Sequence, residues 1–410
     1  FFYMFFKPIY ILILFFTIVF DYYAGIYLEK IEDDKKRKWF LIASLIANIG
    51  VLAIFKYYTF LESNVKGIAE LFGADVSFPA LNIILPVGLS FHTFQAMSYT
   101  FEVYRKNQKA EKRFGIYALY VMFYPQLVAG PIERPQNILH QFYRKTDFSY
   151  DNAVAGLNLI ALGLFKKMII ADRLAVYVNQ VYGDLDHASS ISTFLALIFF
   201  SFQIYCDFSG YSDIARGTAR VMGFELMLNF DRPYLSQSIS EFWKRWHISL
   251  STWFRDYLYI PLGGNRVSKT RAYYNIFLVF MISGLWHGAN WTFVIWGALH
   301  GFFNIFGTIT KQAQVKIATS LKLVSFPLLC KTLNILTVFF LVSFAWVFFR
   351  AQDFTQAMLF YEKLFSFDVT LNMTQICAEK GPLNLLLSFA ALGLLFLSYF
   401  LPKDLKIKHN

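Results

Sequence analysis

Long apolar runs constrain the fold of this chain more than any other feature. Several reach about 20 residues, the length that an α-helix needs to cross a hydrocarbon layer of roughly 30 Å; examples are residues 8–28, 39–60 and 323–349. Only 16% of the residues are charged and 57% are hydrophobic, whereas soluble domains carry roughly 25% charged residues. The sequence therefore predicts an all-α, polytopic integral membrane protein.

The succession of apolar runs predicts roughly nine to eleven membrane helices, some of them broken, re-entrant or interfacial. The run 81–104 contains Pro86 and Gly88, which predict a kink or a break. No Pro/Ser/Gly-rich linker and no repeat divides the chain, so we expect a single domain over residues 1–410. Because the chain starts with Phe1 and enters an apolar run almost at once, we expect a further N-terminal segment to precede it.

The net charge of +11 has a different meaning here than in a soluble protein. Lys and Arg accumulate in the cytoplasmic loops of membrane proteins, and they attract anionic lipid headgroups. The loop 105–113, with five Lys/Arg against one Glu, is expected in the cytoplasm. The sequence has no stripe of basic residues on a soluble surface, so nucleic-acid binding is not predicted. The three cysteines are widely spaced without a CxxC pair, so no metal site is predicted.

The segment 238–265 is the most informative polar stretch. Ser238 and Glu241 have the spacing of a capping box, which predicts the start of a helix, and Glu241 can pair with Arg245 at i,i+4. At helical spacing one polar face then holds Lys244, His247, Ser251 and Arg255. An interfacial helix with Trp anchors and snorkelling cations explains the Trp, Lys and Arg residues. It does not explain His247, for which a functional and a structural role both remain open.

Residues 244–271 contain six Lys/Arg and one acid, Asp256. Such a cluster suits the entrance for a polyanionic donor such as acetyl-CoA, whose phosphates favour Arg and Lys. The accumulation of cations in cytoplasmic loops explains each single residue equally well.

A second candidate site is the sequence GLWHGANW at 284–291, inside the apolar stretch 273–306. An ionisable side chain within a membrane segment is costly and suggests function. We expect Asn290, three residues after His287, to share its helix face and to fix one imidazole nitrogen. A neutral imidazole there could deprotonate a hydroxyl that attacks a thioester, and the flanking glycines would let the substrate approach. The alternatives are that Gly284 and Gly288 form a GxxxG packing motif and that the histidine only bonds a neighbouring helix.

Two further polar positions carry weaker signals. His300 has the same type of surroundings as His287, and helix packing is the favoured interpretation. Asp207 follows the apolar run 192–206 and is expected at the end of a span, where it could orient the donor or line a tunnel. A solvated helix terminus explains Asp207 as well.

Five ordered motifs within about residues 80–305 resemble the membrane-bound O-acyltransferase family, in particular its bacterial branch typified by the membrane component of alginate O-acetylation. The D-alanine exporter of teichoic acid synthesis is a more distant relative of that branch. The motifs are LPVGLSFHTFQAMSYTFEVYR (85–105), YPQLVAGPIERP (124–135), CDFSGYSDIARG (206–217), FWKRWHISLSTWFRDYLYIPLGGNR (242–266) and GLWHGANWTFVIWGALHG (284–301). Compared with the family pattern, we expect the first membrane segment to be absent from residues 1–410.

The resemblance implies a ring of helices around a central funnel, with His287 as the catalytic histidine and His247 as the second required one. It implies transfer of an acetyl group from cytoplasmic acetyl-CoA, a substrate rather than a bound cofactor, to hydroxyls of a periplasmic or extracellular polysaccharide. An extracytoplasmic SGNH-type esterase-like partner and a location in the bacterial cytoplasmic (inner) membrane are also implied. The competing hypothesis is a transporter that exports a polysaccharide precursor. Donor-binding or supporting roles are predicted for Asn290, Lys244, Arg245, Ser251, Arg255, Asp207 and Trp286.

Overall fold

The protein is all-helical in the residues that its computed structural model describes, which are 3–5, 7–79, 85–369 and 382–400. This confirms the predicted all-α class. The helices are α1 (Ile11–Lys30), α2 (Asp34–Leu52), α3 (Tyr58–Leu71), α4 (Leu89–Tyr104), α5 (Phe114–Met122), α6 (Tyr124–Leu127), α7 (Pro135–Ile138), α8 (Tyr150–Leu164), α9 (Asp172–Gly183), α10 (Ser190–Val221), α11 (Ile239–Arg245), α12 (Ile248–Phe254), α13 (Lys269–His287), α14 (Trp291–Ile309), α15 (Lys311–Ser320), α16 (Pro327–Arg350), α17 (Phe354–Leu364) and α18 (Pro382–Phe400). Three π-helical segments, Ala53–Tyr57, Phe165–Ala171 and Arg255–Tyr259, continue neighbouring helices.

Six helical stretches in the described residues are long and apolar enough to cross a membrane. They are Pro8–Lys30, Asp34–Leu71, Tyr150–Gly183, Ser190–Val221, Trp291–Ile309 and Pro327–Arg350. The polytopic class is thereby confirmed, although six is fewer than the nine to eleven membrane helices predicted. Other predicted spans fold as helices that are shorter or more polar. An example is α4, whose 16 residues rise about 24 Å at 1.5 Å per residue.

Residues 85–88 of the third apolar run are not helical and α4 begins only after Gly88, in agreement with the predicted break; residues 81–84 of this run lie outside the described residues. Gly88 has φ +75° and precedes the first residue of α4. A Cβ at this position would also lie only 2.5 Å from the carbonyl oxygen of Leu127. Both the left-handed backbone and the close approach require glycine here.

Glycine pairs bring α8 and α10 into close contact. A Cβ at Gly163 would lie 2.5 Å from the carbonyl oxygen of Gly210, and a Cβ at Gly217 would lie 2.5 Å from that of Gly156. Small residues of this kind let membrane helices approach each other closely. The backbones of α8 and α10 are therefore in direct contact at these glycines.

The position of Asp207 differs from the prediction. Asp207 and Asp213 lie inside α10 and not at the end of a span. Asp207 is 2.5 Å from Nζ of Lys167, and Asp213 is 2.7 Å from Nζ of Lys166. Because each carboxylate is paired with a cation from the adjacent π-helical segment, the cost of keeping a charge within the helix pair is reduced, and α10 continues.

Candidate active site

His287 is the last residue of α13, and its side chain is partly buried. Three aromatic rings contact it edge-on, with centroid distances of 4.9 Å to Trp286, 5.0 Å to Trp296 and 5.2 Å to Phe349. In the part of the chain that the structure describes, neither ring nitrogen of His287 has a hydrogen-bond partner. The imidazole is thus held by ring contacts, with both nitrogen atoms unused.

Trp286 connects the two histidines that the sequence singles out. The centroid of its buried ring is 4.9 Å from that of His287 and 6.3 Å from that of His247. The opposite side of the indole packs on two rings of α4, Phe94 at 5.2 Å and Phe91 at 5.4 Å. The tertiary fold therefore brings His247, Trp286 and His287 together, although 39 residues separate Trp286 from His247 in the sequence.

The predicted single helix over 238–265 is wrong at His247. The capping box is present, because the Ser238 side chain accepts a hydrogen bond from the Glu241 backbone N–H, and Glu241 lies 2.6 Å from Arg245. However, α11 ends at Arg245, and His247 adopts the left-handed conformation with φ 44° and ψ 55° before α12 begins. Such a conformation is strained for a residue other than glycine and is concentrated at functional sites.

Asn229 forms hydrogen bonds to the chain where the helix is interrupted between α11 and α12. Its backbone carbonyl accepts from Ile248 N at 2.9 Å, and its side-chain oxygen lies 3.1 Å from Nδ1 of His247. The neighbouring backbone N–H of Asp231 donates to the carbonyl of Arg245. These bonds replace the helical ones lost between α11 and α12, and they turn the His247 ring into the protein interior, where it is 1% exposed.

Four buried ring nitrogens around His287 lack a protein hydrogen-bond partner. They are Nε1 of Trp286, Nε1 of Trp296, Nε2 of His247 and Nε2 of His300. Buried polar groups in proteins are normally paired, and an indole N–H can only donate. Such atoms can bind the polar groups of a substrate, and donors of this kind can stabilise an oxyanion. Among the described residues, no group of three or more His, Cys, Asp or Glu could hold a metal ion.

Lys56 and Tyr57 are site residues that the sequence reasoning missed. Both bind the last turn of α13: Lys56 Nζ donates to the carbonyl of Trp286, and the Tyr57 hydroxyl donates to that of Leu285 at 2.5 Å. Helix ends leave carbonyls without partners, and the π-helical segment 53–57 supplies the donors. Lys56 also donates to Ser90 Oγ at 3.2 Å. The signal was available in the sequence, because Lys56 is an ionisable residue inside an apolar run.

The predicted cationic face does not form, because the helix is interrupted. Lys244 is exposed, Arg245 is paired with Glu241, and the Ser251 hydroxyl donates to the carbonyl of Trp246. Arg255 instead binds Asp256, with Nε 2.7 Å from Oδ1.

Three arginines contact Asp256, two at its carboxylate and one at its backbone carbonyl. Arg105 donates to the backbone carbonyl of Asp256 at 2.9 Å, Arg134 lies 3.6 Å from its side chain, and Arg255 is the third. Arg105 also lies 3.8 Å from the carboxylate of Glu102, so two acids stand against three guanidinium groups and the cluster retains one excess positive charge.

The predicted contact between Asn290 and His287 is absent. Asn290 is not on the helix of His287, because α13 ends at His287 and Asn290 is the N-cap of α14. Its oxygen accepts from Thr292 N at 3.0 Å, and its Nδ2 donates to the carbonyl of Gln352 at 2.7 Å. Asp207, a further predicted site residue, is paired with Lys167 and not with either histidine. The adjacent Phe208 contacts the His247 ring, with 4.6 Å between the ring centroids.

The glycines near His287 serve helix packing, the alternative weighed above. A Cβ on Gly284 would collide with the carbonyl oxygen of Phe293 and lie 3.3 Å from Cα of Gly297. A Cβ on Gly288 would collide with the Phe293 ring. These positions are therefore filled by α14 and do not provide access for a substrate.

A cavity of about 390 Å³ lies beside the end of α13. Its volume is within the range of small-molecule sites. Its lining combines a cation, hydroxyls, amides and aromatic rings, contributed by Lys56, Thr59, Phe60, Ser63, Asn64, Ala289, Asn290 and Trp291. The indole of Trp291 is fixed by a 2.9 Å hydrogen bond to Asn64 Oδ1, and the residue is 56% exposed.

Comparison with known proteins gives a consistent result. The family model described as MBOAT, membrane-bound O-acyltransferase family, matches residues 93–349. The chain is 39% identical over 351 residues to the protein named probable alginate O-acetylase AlgI in Pseudomonas aeruginosa, covering 85% of this chain and 65% of that relative. It is 36% identical over 403 residues to the peptidoglycan O-acetyltransferase of Helicobacter pylori, covering 92% and 73%. It is 29% identical over 234 residues to the teichoic acid D-alanyltransferase of Bacillus subtilis, covering 54% and 58%.

Proposed function

This chain belongs to the membrane-bound O-acyltransferase family, and we propose that it transfers an acetyl group from acetyl-CoA to hydroxyls of an extracytoplasmic polysaccharide. The three relatives described above are named for acyl transfer, to alginate, peptidoglycan or teichoic acid. Membership of this family favours acyl transfer over export of a polysaccharide precursor.

The arrangement of His247, Trp286 and His287 carries the proposal. In it, a histidine with free ring nitrogens stands among buried indole N–H groups that lack partners. His287 acts as the general base that takes the proton of the attacking hydroxyl, and it returns this proton to the CoA thiolate as the C–S bond of the thioester breaks. The indole N–H groups of Trp286 and Trp296 are donors suited to the oxyanion that forms on the thioester carbonyl. His247 orients the donor.

The two ends of the helices differ in charge, which supports a membrane orientation. One end holds residues 105–113, with five Lys/Arg against one Glu, and residues 311–322, with three Lys and no acid. The other end holds residues 184–187, with two Asp and no Lys or Arg, and residues 353–368, with three acids against one Lys. Because Lys and Arg accumulate in cytoplasmic loops, we assign the basic end to the cytoplasm of a bacterial inner membrane.

This orientation gives donor and acceptor opposite entrances. The Arg105, Arg134 and Arg255 cluster is at the basic end, where it suits the phosphates of acetyl-CoA. The cavity beside α13 is at the acidic end, since Asn290 bonds Gln352 just before residues 353–368. Its hydroxyls, amides and Trp291 suit a sugar or a segment of an SGNH-type partner that carries the acetyl group onward.

The proposal is tested with purified protein in lipid vesicles and radiolabelled acetyl-CoA. We expect His287→Ala and His247→Ala to abolish acetyl transfer while the variants stay folded, as judged by thermal unfolding. His187→Ala, at an exposed histidine that pairs with Asp184, is the matched control. Wild-type turnover by the folded His287→Ala variant would reject the role of this histidine. Acetyl-CoA cleavage without an ion gradient distinguishes the transferase from a transporter, which would not cleave it.

A further inference from the structure

The orientation of the Asn229 side-chain amide is fixed by its neighbours. Asn229 is fully buried, and its Oδ1 accepts from the backbone N–H of Ser249 at 3.2 Å and from the Ser249 hydroxyl at 3.0 Å. A backbone N–H can only donate, so the oxygen and not the NH₂ group must face it. The NH₂ group donates in the other direction, to Ser212 Oγ at 3.2 Å.

This orientation determines the tautomer of His247. Its Nδ1 lies 3.1 Å from the same Oδ1 of Asn229. Because that oxygen can only accept, Nδ1 must carry the proton. A neutral imidazole protonated at Nδ1 has its lone pair on Nε2, and Nε2 of His247 is buried without a protein partner.

His300 shows the opposite arrangement in the same aromatic cluster. The indole Nε1–H of Trp243 donates to Nδ1 of His300 at 3.3 Å. Its neutral form therefore carries the proton on Nε2, which is also buried without a protein partner. The site thus combines a fixed acceptor on His247 with a fixed donor on His300.

We infer that Asn229 is a positioning residue that holds His247 with Nε2 as a hydrogen-bond acceptor for an N–H or O–H group of the bound substrates. The inference rests on the proposed acetyl transfer. Two groups have this chemistry: an amide N–H of the donor's pantetheine arm and the hydroxyl of the acceptor. The substitution Asn229→Leu would remove the anchor of Nδ1. It would allow the tautomer in which Nε2 presents a proton to the substrate and repels such a group.

The test compares two substitutions of Asn229 with a matched control. Asn229→Asp retains an acceptor for His247 and Ser249, and the Ser212 hydroxyl can reverse to donate to it. Asn229→Leu retains no acceptor. Ser249→Ala removes one of the donors to Oδ1 and leaves the bond to His247. Asn229→Leu leaves the substrate group buried without an acceptor, which corresponds to roughly a 5- to 150-fold fall in kcat/KM. We expect activity to be largely kept in Asn229→Asp and Ser249→Ala.

A spectroscopic readout separates positioning from a merely structural role. In ¹⁵N-histidine-labelled protein, with the signal assigned by loss in His247→Gln, we expect a protonated Nδ1 and an unprotonated Nε2 for His247. Asn229→Leu should move this signal towards the other tautomer. A rise in the Kd for CoA in Asn229→Leu would identify the donor arm as the bonded group, and an unchanged Kd with a lower kcat would identify the acceptor hydroxyl.

The outcomes distinguish this inference from the proposed function. An unprotonated Nδ1 in the wild type, or full activity of a folded Asn229→Leu variant beside an inactive His247→Ala variant, would overturn only the role of Asn229. Full activity of both histidine variants would overturn the proposed function, whatever the tautomer.

Discussion

Replacing Lys56 by Met tests whether the end of α13 must be anchored for His287 to work. Met has a stem of similar length but no donor, so the hydrogen bonds from Nζ to the Trp286 carbonyl and to Ser90 Oγ are lost. Hydrogen bonds from a charged group are worth roughly 1.5–3 kcal/mol each. Removing a partly buried ammonium also removes its desolvation cost. We therefore expect a small change in stability and a larger loss of activity.

The expected loss follows from one anchoring bond. If the Trp286 bond fixes the adjacent His287 in the transition state, its loss lowers kcat by about 10- to 150-fold. Tyr57→Phe removes one neutral hydrogen bond to the Leu285 carbonyl and should lower kcat by about 2- to 12-fold. The assay is steady-state cleavage of acetyl-CoA by protein in lipid vesicles, with thermal unfolding measured in parallel.

Lys66→Met is the matched control for Lys56. Lys66 lies in the same helical stretch, but it forms only an i,i+4 pair with Glu62 at 2.8 Å, and such pairs contribute about 0.3–0.5 kcal/mol. We expect its activity to equal that of the wild type. A Lys56→Met variant with normal kcat, or an equal loss in Lys66→Met, would show that the anchor at the end of α13 has no part in catalysis.

Three further outcomes are expected. Gly297→Ala should destabilise the protein by roughly 1–3 kcal/mol in thermal unfolding, because the added Cβ would meet the Phe280 carbonyl and the Gly284 backbone. The control Gly307→Ala has open space around the added Cβ and should be neutral or stabilising. Trp291→Ala should raise the KM for the acceptor by roughly tenfold through lost ring contact without changing acetyl-CoA cleavage, whereas an unchanged KM would exclude this cavity as the acceptor site. Outside the spans, the Asp184 carboxylate, 2.6 Å from Nδ1 of His187, raises the pKa of that histidine; Asp184→Asn should lower it, as measured by an NMR titration.

The sequence alone determined the class of protein and singled out His247 and His287 as candidate site residues. Apolar runs of about 20 residues match the thickness of a membrane when they are helical, so the all-α membrane class was predictable. The break at Gly88 and the capping box at Ser238 were also predictable, because both depend on interactions between residues close in the chain. The motifs around His247 and His287 indicated the candidate site through the resemblance to the family.

Only the tertiary structure decided how the site is held together. Helical spacing placed His247 on a polar face with Lys244, but bonds to Asn229, 18 residues earlier in the chain, interrupt the helix and bury the ring. The same spacing predicted that Asn290 would lie beside His287, whereas the Asn290 side chain donates a hydrogen bond to the carbonyl of Gln352. Lys56 reaches the Trp286 carbonyl across 230 residues of sequence. Periodicity reports which residues share a helix face, and it contains no information on which distant chain segment will satisfy the polar groups where a helix ends.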